Sequence, residues 1–362
     1  MKKLKQLWKV AITGMLLVCS YAGLQAQSQP QGTGAGRISE SVRTVSYPVG
    51  KYGNEVMPDW DRGYVIHREI GENYSSDTPM VAMYDKTGKL VLEGRIWPSG
   101  ARSVKILRTA ATKDGAILAG GGAVLKDGST PGYIAKTDLS GNTRQSQLTG
   151  SFKPAQICEA PDGTIWSLGR SLNPNDGQEH DTNILRHFSF EKGLLHRYLP
   201  EDTVKARFDS EQPWFSPFVG SYLRCGKDKI SVYLNFTDEY VEVDTSSFKL
   251  TRWMLDESAV QHEKAEGFAI TENGNLYAHF SAHATRRPAG LWGLYQIKAK
   301  SGNSIAGLIP VAGSISFDDG KNRLPSGTIV YLWGADGNQL VVWRVDEREM
   351  SWVDVIGGEA TD

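Results

Sequence analysis

Short apolar stretches that alternate with polar residues recur along the chain. The clearest is Lys105–Gly122, in which two apolar segments flank a Lys-Asp-Gly turn. Variants of this pattern occur at Ala155–Gly169, Gly220–Leu234 and Gly267–Phe280. Because alternation with a period of two is typical of strands, and Asp and Gly suit tight turns, each stretch predicts a β-hairpin.

A loop and a further strand follow each hairpin, and the end of that strand marks a repeat. These ends fall at positions 85, 138, 189, 244, 298 and 346, which are 48 to 55 residues apart. Four strands per unit and this period predict an all-β fold, a six-bladed β-propeller with four-stranded blades. We expect the third strands at Met80–Asp85, Tyr133–Asp138, Asn183–Ser189, Tyr240–Asp244, Leu294–Lys298 and Leu340–Asp346.

One additional strand is predicted at Val42–Val49, before the first complete unit. A propeller must protect its open sheet edges, because an exposed edge promotes association. We therefore expect this strand to join the last blade and to help close the ring. The propeller would then span residues 42–357, with a C-terminal tail at 358–362.

The N-terminus has the three parts of a secretory signal peptide. Four lysines precede the apolar segment Val10–Cys19, and small residues follow up to Ala26. This pattern predicts a signal peptide at 1–26, followed by a flexible Gln-, Gly- and Ser-rich linker at 27–41. Lipidation at Cys19 is disfavoured because Val18 stands where a small residue is wanted. We expect an exported protein, periplasmic or extracellular.

Charge and hydropathy narrow the range of partners. The whole sequence has a formal net charge of −1, and removal of four signal-peptide lysines leaves 36 − 41 = −5. A mildly acidic chain without basic clusters is not expected to bind nucleic acid. No transmembrane segment is predicted after signal cleavage, because no apolar run reaches the roughly 18 residues that a span needs.

Two cysteines remain once the signal peptide is removed. Cys158 and Cys225 lie in predicted strands at similar places in neighbouring repeats. In an oxidising compartment they could form a disulfide, but sequence does not reveal the geometry that a disulfide needs. A disulfide and two buried thiols both stay open, and we expect the thiols.

Some residues with reactive or aromatic side chains are better explained by packing. His67, His187 and His279 lie inside predicted strands, so we expect them to have structural roles rather than to bind ligands. The tryptophans are expected to fill the packing between blades rather than to form a sugar platform: Trp60, Trp97, Trp166, Trp253 and Trp343.

The candidate ligand site lies in loops, since loops on a rigid scaffold tend to carry function. Two loops stand out, Ser171–Thr182 and Ser281–Leu291. Together with the segments that lead into the inner strands, these loops would line the opening of a ligand pocket with mainly positive charge. This predicts that a small anionic ligand or a protein binds through Arg102, Lys153, His180, Asp181, His283, Arg286 and Arg287. The alternative is that these are ordinary solvated loop residues.

The sequence contains no standard catalytic signature. It has no Gly-x-Ser-x-Gly elbow, His-Glu-x-x-His zinc helix, Cys-x-x-Cys pair or phosphate-binding loop. The densest acidic set is Asp176, Glu179 and Asp181, and its spacing does not match an EF-hand loop. No metal site is therefore assigned, and any cofactor is left unknown.

The strand and turn periodicity over Val45–Gly357 resembles the six-bladed propellers of the NHL and lactonase-like superfamily. The Trp-Asp pair typical of WD repeats occurs only at Trp60-Asp61. The resemblance to lactonase-like propellers implies a divalent cation in the central channel, held by Glu, Asn and Asp from different blades. Glu55 could correspond to the first-blade Glu, whereas the Asn and Asp motifs of later blades find no match.

We predict an exported, non-catalytic ligand- or protein-binding module. The alternative is a divalent-metal-dependent hydrolase or lactonase that uses the central channel, and a structural role in the cell envelope is a third possibility. The channel lining distinguishes the first two. Three or more converging acidic or amide oxygens favour the enzyme, whereas Ala, Gly and aliphatic side chains favour the binding module.

Overall fold

Antiparallel β-strands account for nearly all regular structure in this computed structural model. The structure describes the following residues, to which all statements below refer: 37–47, 59–68, 79–171, 183–200, 218, 220–256, 265–280, 293–299, 305–311, 330–344 and 349–356. These ranges contain 24 strands and no α-helix. Within them, no helix is long and apolar enough to cross a membrane.

Three sheets are formed by four strands that follow one another in the chain. The first contains β2 (Asp59–Asp61), β3 (Tyr64–Arg68), β4 (Val81–Tyr84) and β5 (Leu90–Gly94). The second contains β6 (Ala101–Ala111), β7 (Ile117–Leu125), β8 (Gly132–Thr137) and β9 (Thr143–Gly150). The third contains β10 (Phe152–Glu159), β11 (Ile165–Ser171), β12 (Asn183–Ser189) and β13 (Gly193–Pro200).

The next eight strands form one continuous sheet. Its first half contains β14 (Tyr222–Cys225), β15 (Lys229–Leu234), β16 (Glu239–Asp244) and β17 (Leu250–Leu255). Its second half contains β18 (Gly267–Ile270), β19 (Leu276–His279), β20 (Leu294–Ala299) and β21 (Ile305–Pro310). The halves join through a parallel pairing of β17 with β21, which includes Met254 opposite Ile305. This sheet stands where the pattern predicts two separate blades.

The last sheet unites the two ends of the described chain. It contains β22 (Val330–Asp336), β23 (Gln339–Arg344), β24 (Glu349–Ile356) and, beside β24, the N-terminal strand β1 (Arg37–Ser46). The predicted pairing of an N-terminal strand with the last blade is confirmed, and the strand begins at Arg37 rather than at Val42. Arg37 lies opposite Ile356, and Ser46 lies opposite Glu349.

The first strands of successive sheets or half-sheets contact one another in a closed cycle. The order of contacts is β2, β6, β10, β14, β18, β22 and back to β2. Such a cycle of inner strands, with the other strands of each sheet outside it, is an all-β propeller. Strands β2 and β14 stand three steps apart in either direction, so they lie on opposite sides of the cycle.

The predicted hairpins are confirmed, and their turns explain the repeated Gly. In β6–β7, the Gly115 amide donates to the Thr112 carbonyl at 3.0 Å, and Gly115 has a φ of +80°. Gly163 repeats this arrangement in β10–β11 with the Ala160 carbonyl at 2.9 Å. A positive φ is readily adopted only by Gly, so the local sequence determines where these strands reverse.

The predicted third strands are also confirmed, with one exception. The third strand of each of the first five sheets or half-sheets is the predicted one: β4, β8, β12, β16 and β20. The segment Leu340–Asp346 corresponds to β23, which is second in its sheet, so the sixth assignment is wrong. The physical reason is that the N-terminal strand β1 is the fourth strand of the last sheet. The C-terminal part of the chain therefore contributes only three strands, and β24 is the third.

The prediction of two free thiols is wrong. Cys158 and Cys225 form a disulfide with a Cα–Cα distance of 5.8 Å. The bond joins inner strand β10 to inner strand β14, across the boundary between two neighbouring sheets. In the chain-entropy model, a cross-link between cysteines 67 residues apart stabilises the fold by about 4 kcal/mol.

Buried aromatic side chains fill the boundaries between sheets. Trp60 from the first sheet packs edge-on against Trp352 of the last, with ring centroids 5.6 Å apart, and its indole nitrogen donates to the Ala335 carbonyl. The packing role expected for tryptophan is confirmed for the buried Trp60, Trp166 and Trp343, while Trp97 and Trp253 are partly buried. The structural role expected for histidines agrees with the burial of His67, His187 and His279.

Candidate functional site

Two of the predicted ligand-binding residues lie in the described part of the chain. Arg102 is exposed on β6, and Lys153 is buried near the start of β10. Among the described residues, no hydrogen bond or ion pair joins Arg102 to Lys153. The other predicted residues lie outside the described ranges: His180, Asp181, His283, Arg286 and Arg287. The same is true of Glu55, Asp176 and Glu179.

Lys153 is a buried cation with a single neutral partner in the described structure. Its ammonium donates to the Thr130 carbonyl in the loop between β7 and β8. Burial lowers the pKa of Lys153 to about 8, because the charged form loses hydration. The side chain crosses Gly122 of β7, where a Cβ would lie 3.7 Å from Lys153 Cδ. Lys153 therefore places a poorly compensated positive charge near the ring of inner strands.

Asp59 is the best-partnered carboxylate among the inner strands. It is 1% exposed, and its Oδ2 accepts hydrogen bonds from the Thr109 amide at 2.7 Å and the Thr109 hydroxyl at 2.6 Å. Arg108 lies 3.0 Å from Oδ1, and Arg68 lies 3.8 Å from Oδ2. Because Thr109 and Arg108 belong to β6, Asp59 fastens β2 to the neighbouring inner strand.

Asp61, two residues further along β2, has far fewer partners. Its Oδ2 accepts one hydrogen bond, from the Ala111 amide at 3.1 Å. Burial raises the pKa of Asp61 to about 6, although Arg62, Arg224 and Arg108 act in the opposite direction. The cost of desolvating the carboxylate thus exceeds the compensation that three arginines provide.

Arg224 extends from the opposite inner strand, β14. Its Nη2 donates to the Trp333 carbonyl on β22 at 3.0 Å, and its Nη1 donates to the Leu223 carbonyl at 3.1 Å. Since β18 stands between β14 and β22 in the cycle, the side chain reaches past a neighbouring strand. Burial lowers the pKa of Arg224 to about 10, and the charge of Arg108 acts in the same direction. Asp61 opposes this shift.

Tyrosine and glutamate add polar groups to the same region. The Tyr222 hydroxyl, on β14, donates to the backbone carbonyl of Glu266, just before β18. Burial raises the pKa of Tyr222, and it also raises that of Tyr331 on β22, where the Glu266 charge adds to the effect. Of these residues, Tyr222 lies near Arg224, whose guanidinium carbon is 5.9 Å from the ring centroid. We call Asp61, Arg108, Tyr222 and Arg224 the central cluster.

The lining of the central region matches neither of the two patterns expected from sequence. Charges of both signs converge there, from β2, β6 and β14, rather than a set of oxygen ligands or an aliphatic wall. In the described ranges, no group of three or more His, Cys, Asp or Glu is placed to hold a metal ion. The arrangement can bind charged groups of a ligand by direct hydrogen bonds and ion pairs.

One feature of the sequence points to this cluster, and the loop-based prediction missed it. Arg108 and Arg224 each follow a leucine inside a first hairpin strand, where an apolar residue would suit a buried position. A charged residue inside an inner strand must find a partner or line a polar space. Their proximity to Asp61 depends on the ring and is not visible in the linear sequence.

Comparisons with known proteins add little to these observations. No protein-family model matches the chain, and no curated protein matches it. A protein of unknown function from Bacteroides caccae is 12% identical with a TM-score of 0.41, covering 73% of this chain and 89% of that one. The WD40 repeats of RRP9 are 9% identical with a TM-score of 0.44, covering 89% and 99%. A luciferin-regenerating enzyme is 12% identical with a TM-score of 0.40, covering 85% and 94%. At these TM-scores, none of the similarities supports an argument about function.

Proposed function

We propose that the chain is an exported six-bladed propeller that binds a small anionic ligand without catalysis. The blade count treats the eight-stranded sheet as two blades. Its halves are joined by only two residue pairs, and each half contributes its own inner strand, β14 or β18, to the cycle. Export rests on the predicted signal peptide at 1–26. The Cys158–Cys225 disulfide supports it, because such bonds persist in oxidising compartments.

The observation that carries the binding function is the position of Arg224, which extends from inner strand β14 to the Trp333 carbonyl on β22. Its hydrogen bonds go to backbone carbonyls, so no carboxylate within the described ranges forms an ion pair with it. Guanidinium groups bind carboxylate and phosphate through paired hydrogen bonds, and Arg224 has further N–H groups to offer. An anionic ligand would supply the charge that the protein does not provide.

The predicted loop residues would form the entrance to this centre. We propose that ligands enter past Lys153, whose buried ammonium also lacks an anionic partner among the described residues. The remaining members of the entrance would be Arg102, His180, Asp181, His283, Arg286 and Arg287. The metal-dependent alternative depends on Glu55, which lies outside the described residues, and it stays a prediction.

Isothermal titration calorimetry on the disulfide-bonded chain 27–362 tests the function. Acetate, succinate, citrate and inorganic phosphate serve as probes. We expect at least one to bind, and we expect Arg224→Gln to weaken its binding at least tenfold. The matched control is Arg144→Gln, which removes an exposed arginine from β9 and should change affinity less than threefold. Absence of binding by every probe, or unchanged binding to the Arg224→Gln variant, contradicts the proposal.

A thermal-shift titration with calcium, magnesium and manganese addresses the alternative. A metal at about 100 times its dissociation constant stabilises the fold by roughly 2.7 kcal/mol, which raises the melting temperature measurably. A shift that EDTA reverses would favour the hydrolase over the non-catalytic module. Equal melting curves with and without metal would favour the binding module.

A further inference from the structure

Aromatic rings from neighbouring strands form a row on the third sheet. Trp166 of β11 lies opposite His187 of β12, which lies opposite His196 of β13. The rings of Trp166 and His187 stack with centroids 4.3 Å apart and an interplanar angle of 13°, and those of His187 and His196 are 5.5 Å apart at 17°. Tyr198 stacks on Trp166 at 5.4 Å, and burial raises the pKa of its hydroxyl. Trp166 and His187 are buried, whereas His196 is exposed.

The neighbouring half-sheet covers this row with one side chain. Phe248 belongs to the β16–β17 turn, and its ring centroid lies 5.6 Å from that of His187 and 4.9 Å from that of His196. Phe248 has a φ of +55°, a conformation that non-Gly residues adopt at an energetic cost. We call Trp166, His187, His196 and Phe248 the aromatic stack. It joins the third sheet to the half-sheet β14–β17, across the boundary that the disulfide also spans.

The site of His187 is unsuited to a charged imidazole. The residue is 2% exposed, and neither ring nitrogen has a hydrogen-bond partner in the described structure. A neutral imidazole leaves one N–H donor unsatisfied there, whereas the imidazolium leaves two and also loses the hydration of its charge. A cation–π contact with Trp166 offsets part of this cost, but the indole face accepts neither N–H group as a carbonyl would.

The charged groups around His187 leave most of this cost in place. Burial is the largest cause that lowers the pKa of His187 to about 4, and His196 acts in the same direction. The Asp162 carboxylate, in the β10–β11 turn, acts in the opposite direction, but its hydrogen bonds go to groups of its own turn. In the covering turn, the Asp244 carboxylate likewise bonds to serines of that turn, and Lys249 adds a positive charge.

We infer that His187 is an acid-sensitive switch whose protonation separates Phe248 from the aromatic stack and loosens the boundary between the third sheet and the half-sheet β14–β17. The charged imidazole requires water, and Phe248 is the ring that gives way because it comes from the neighbouring half-sheet and its backbone is strained. The disulfide keeps the two inner strands linked while the boundary opens. This inference does not depend on the proposed anion binding.

The direction of the pH effect follows from the two states of His187. Its pKa of about 4 in the folded chain lies below the ordinary value of 6.5, so the folded state holds the proton less strongly than the unfolded state. The stabilising contribution of the neutral ring is therefore present above pH 6.5 and is lost as pH falls toward 4. The full shift raises the unfolding constant about 70-fold between pH 7.5 and pH 4.5.

Chemical denaturation of the native chain and His187→Phe at these two pH values tests the inference. Phe keeps an aromatic ring in the stack but does not titrate. We expect the unfolding constant of the native chain, relative to the variant, to rise at least tenfold on acidification. The matched control is His196→Phe, which removes an exposed imidazole and should change this ratio less than threefold. A ratio that stays constant, or that falls because the cation–π contact dominates, overturns the inference.

The variant Phe248→Ala gives a second test that does not require His187→Phe to fold. It uncovers the stack, so His187 should take up a proton without unfolding. We expect the unfolding constant of the native chain relative to Phe248→Ala to rise at least threefold from pH 7.5 to pH 4.5. An equal pH dependence of both chains would show that Phe248 does not control the protonation of His187.

Hydrogen exchange measured by mass spectrometry locates the opening. The Phe248 amide donates to the Asp244 carbonyl at 2.8 Å, and this bond should break when the turn is released. At pH 5, peptides that cover residues 244–255 should exchange at least fivefold faster in the native chain than in His187→Phe, and equally fast at pH 7.5. Comparison at one pH cancels the intrinsic exchange rate. Equal exchange at pH 5, or faster exchange throughout the chain, would contradict a local switch.

Discussion

Asp59 and Asp61 lie two residues apart on the same short strand, yet their surroundings differ. Asp59 receives two hydrogen bonds from Thr109 and lies close to two arginines. Asp61 receives one hydrogen bond, from a backbone amide, and forms no ion pair within the described structure. Asp59 is buried, whereas Asp61 is half-buried. Asp59 has two arginines to balance its charge, whereas Asp61 has no ion-pair partner within the described structure.

This difference separates a structural charge from a functional candidate. A buried carboxylate with complete partners fixes two strands together, and its removal leaves buried cations without compensation. A carboxylate with incomplete partners costs stability in the absence of a ligand and gains most from binding one. The same distinction separates Arg108, which pairs with Asp59, from Arg224, which bonds only to carbonyls in the described structure.

The largest effect is expected from Asp59→Asn. It leaves Arg108 and Arg68 beside a neutral amide, and breaking a buried charge pair in this way typically costs about 3 to 5 kcal/mol. Chemical denaturation should report this loss, with Asp61→Asn as the matched control two residues away. If both variants lose the same stability, the distinction between the two carboxylates is wrong.

Removal of the disulfide is expected to affect both the stability of the fold and the position of Arg224. Cys225 directly follows Arg224, so the bond to Cys158 holds this part of β14 in place. We expect the double variant Cys158→Ala/Cys225→Ala to lose about 4 kcal/mol of stability in the chain-entropy model. It should also weaken anion binding, because Arg224 becomes less well positioned. Loss of stability with unchanged binding would show that Arg224 is positioned without the bond.

The free energy of unfolding should depend on pH because ionisation of Asp61 destabilises the folded chain. Its pKa is about 6 in the folded chain and near 3.9 in the unfolded chain, so the folded state holds the proton more strongly. The stabilising contribution is present below about pH 4 and is lost as pH rises through 6. The full shift corresponds to about 3 kcal/mol, which we reduce to about 2 kcal/mol because the side chain is partly exposed.

Melting curves of the native chain and Asp61→Asn between pH 4.5 and pH 7.5 measure this contribution. The variant should gain stability relative to the native chain as pH rises, and the gap should level off above pH 7. A gap that stays constant over this range would mean that Asp61 does not titrate as expected.

The smallest change in stability is expected from substitution of Lys153. This residue is a buried cation whose hydrogen-bond partner is a neutral carbonyl. Lys153→Met should raise the free energy of unfolding by about 1 kcal/mol at pH 7, since it removes a desolvated ammonium. Burial lowers the pKa of Lys153 to about 8, so the native chain should gain stability as pH rises from 8 toward 10. The advantage of the variant should shrink over that interval, and denaturation at pH 7 and pH 9.5 measures it.

Local features of the fold were predictable from the sequence because they depend on neighbours in the chain. The hairpins at β6–β7 and β10–β11 follow from alternation and from Gly115 and Gly163 at positive φ. The place of β23 was not predictable in this way. It depends on β1, which is distant in sequence and fills the outer position of the last sheet.

The candidate site was less predictable, for the same physical reason. Asp61 and Arg224 come within electrostatic range only because the closed cycle places β22, where Arg224 bonds to the Trp333 carbonyl, beside β2. The sequence predicts Lys153 as a site residue from its place at the start of an inner strand, but it does not predict the burial of Lys153. The disulfide was equally hidden, since Cys158 and Cys225 meet only when β10 packs beside β14.

The pairing of β1 with β24 also determines how the molecule responds to mechanical force. Arg37 and Ile356, the outermost residues of the two strands, lie opposite each other at one end of the antiparallel ladder. Force applied to the two ends of the described chain therefore acts in the unzipping geometry. The hydrogen bonds between β1 and β24 break one pair after another. Resistance to stretching should be low until the peeling reaches the inner strands, where the covalent bridge between β10 and β14 prevents the intervening chain from extending.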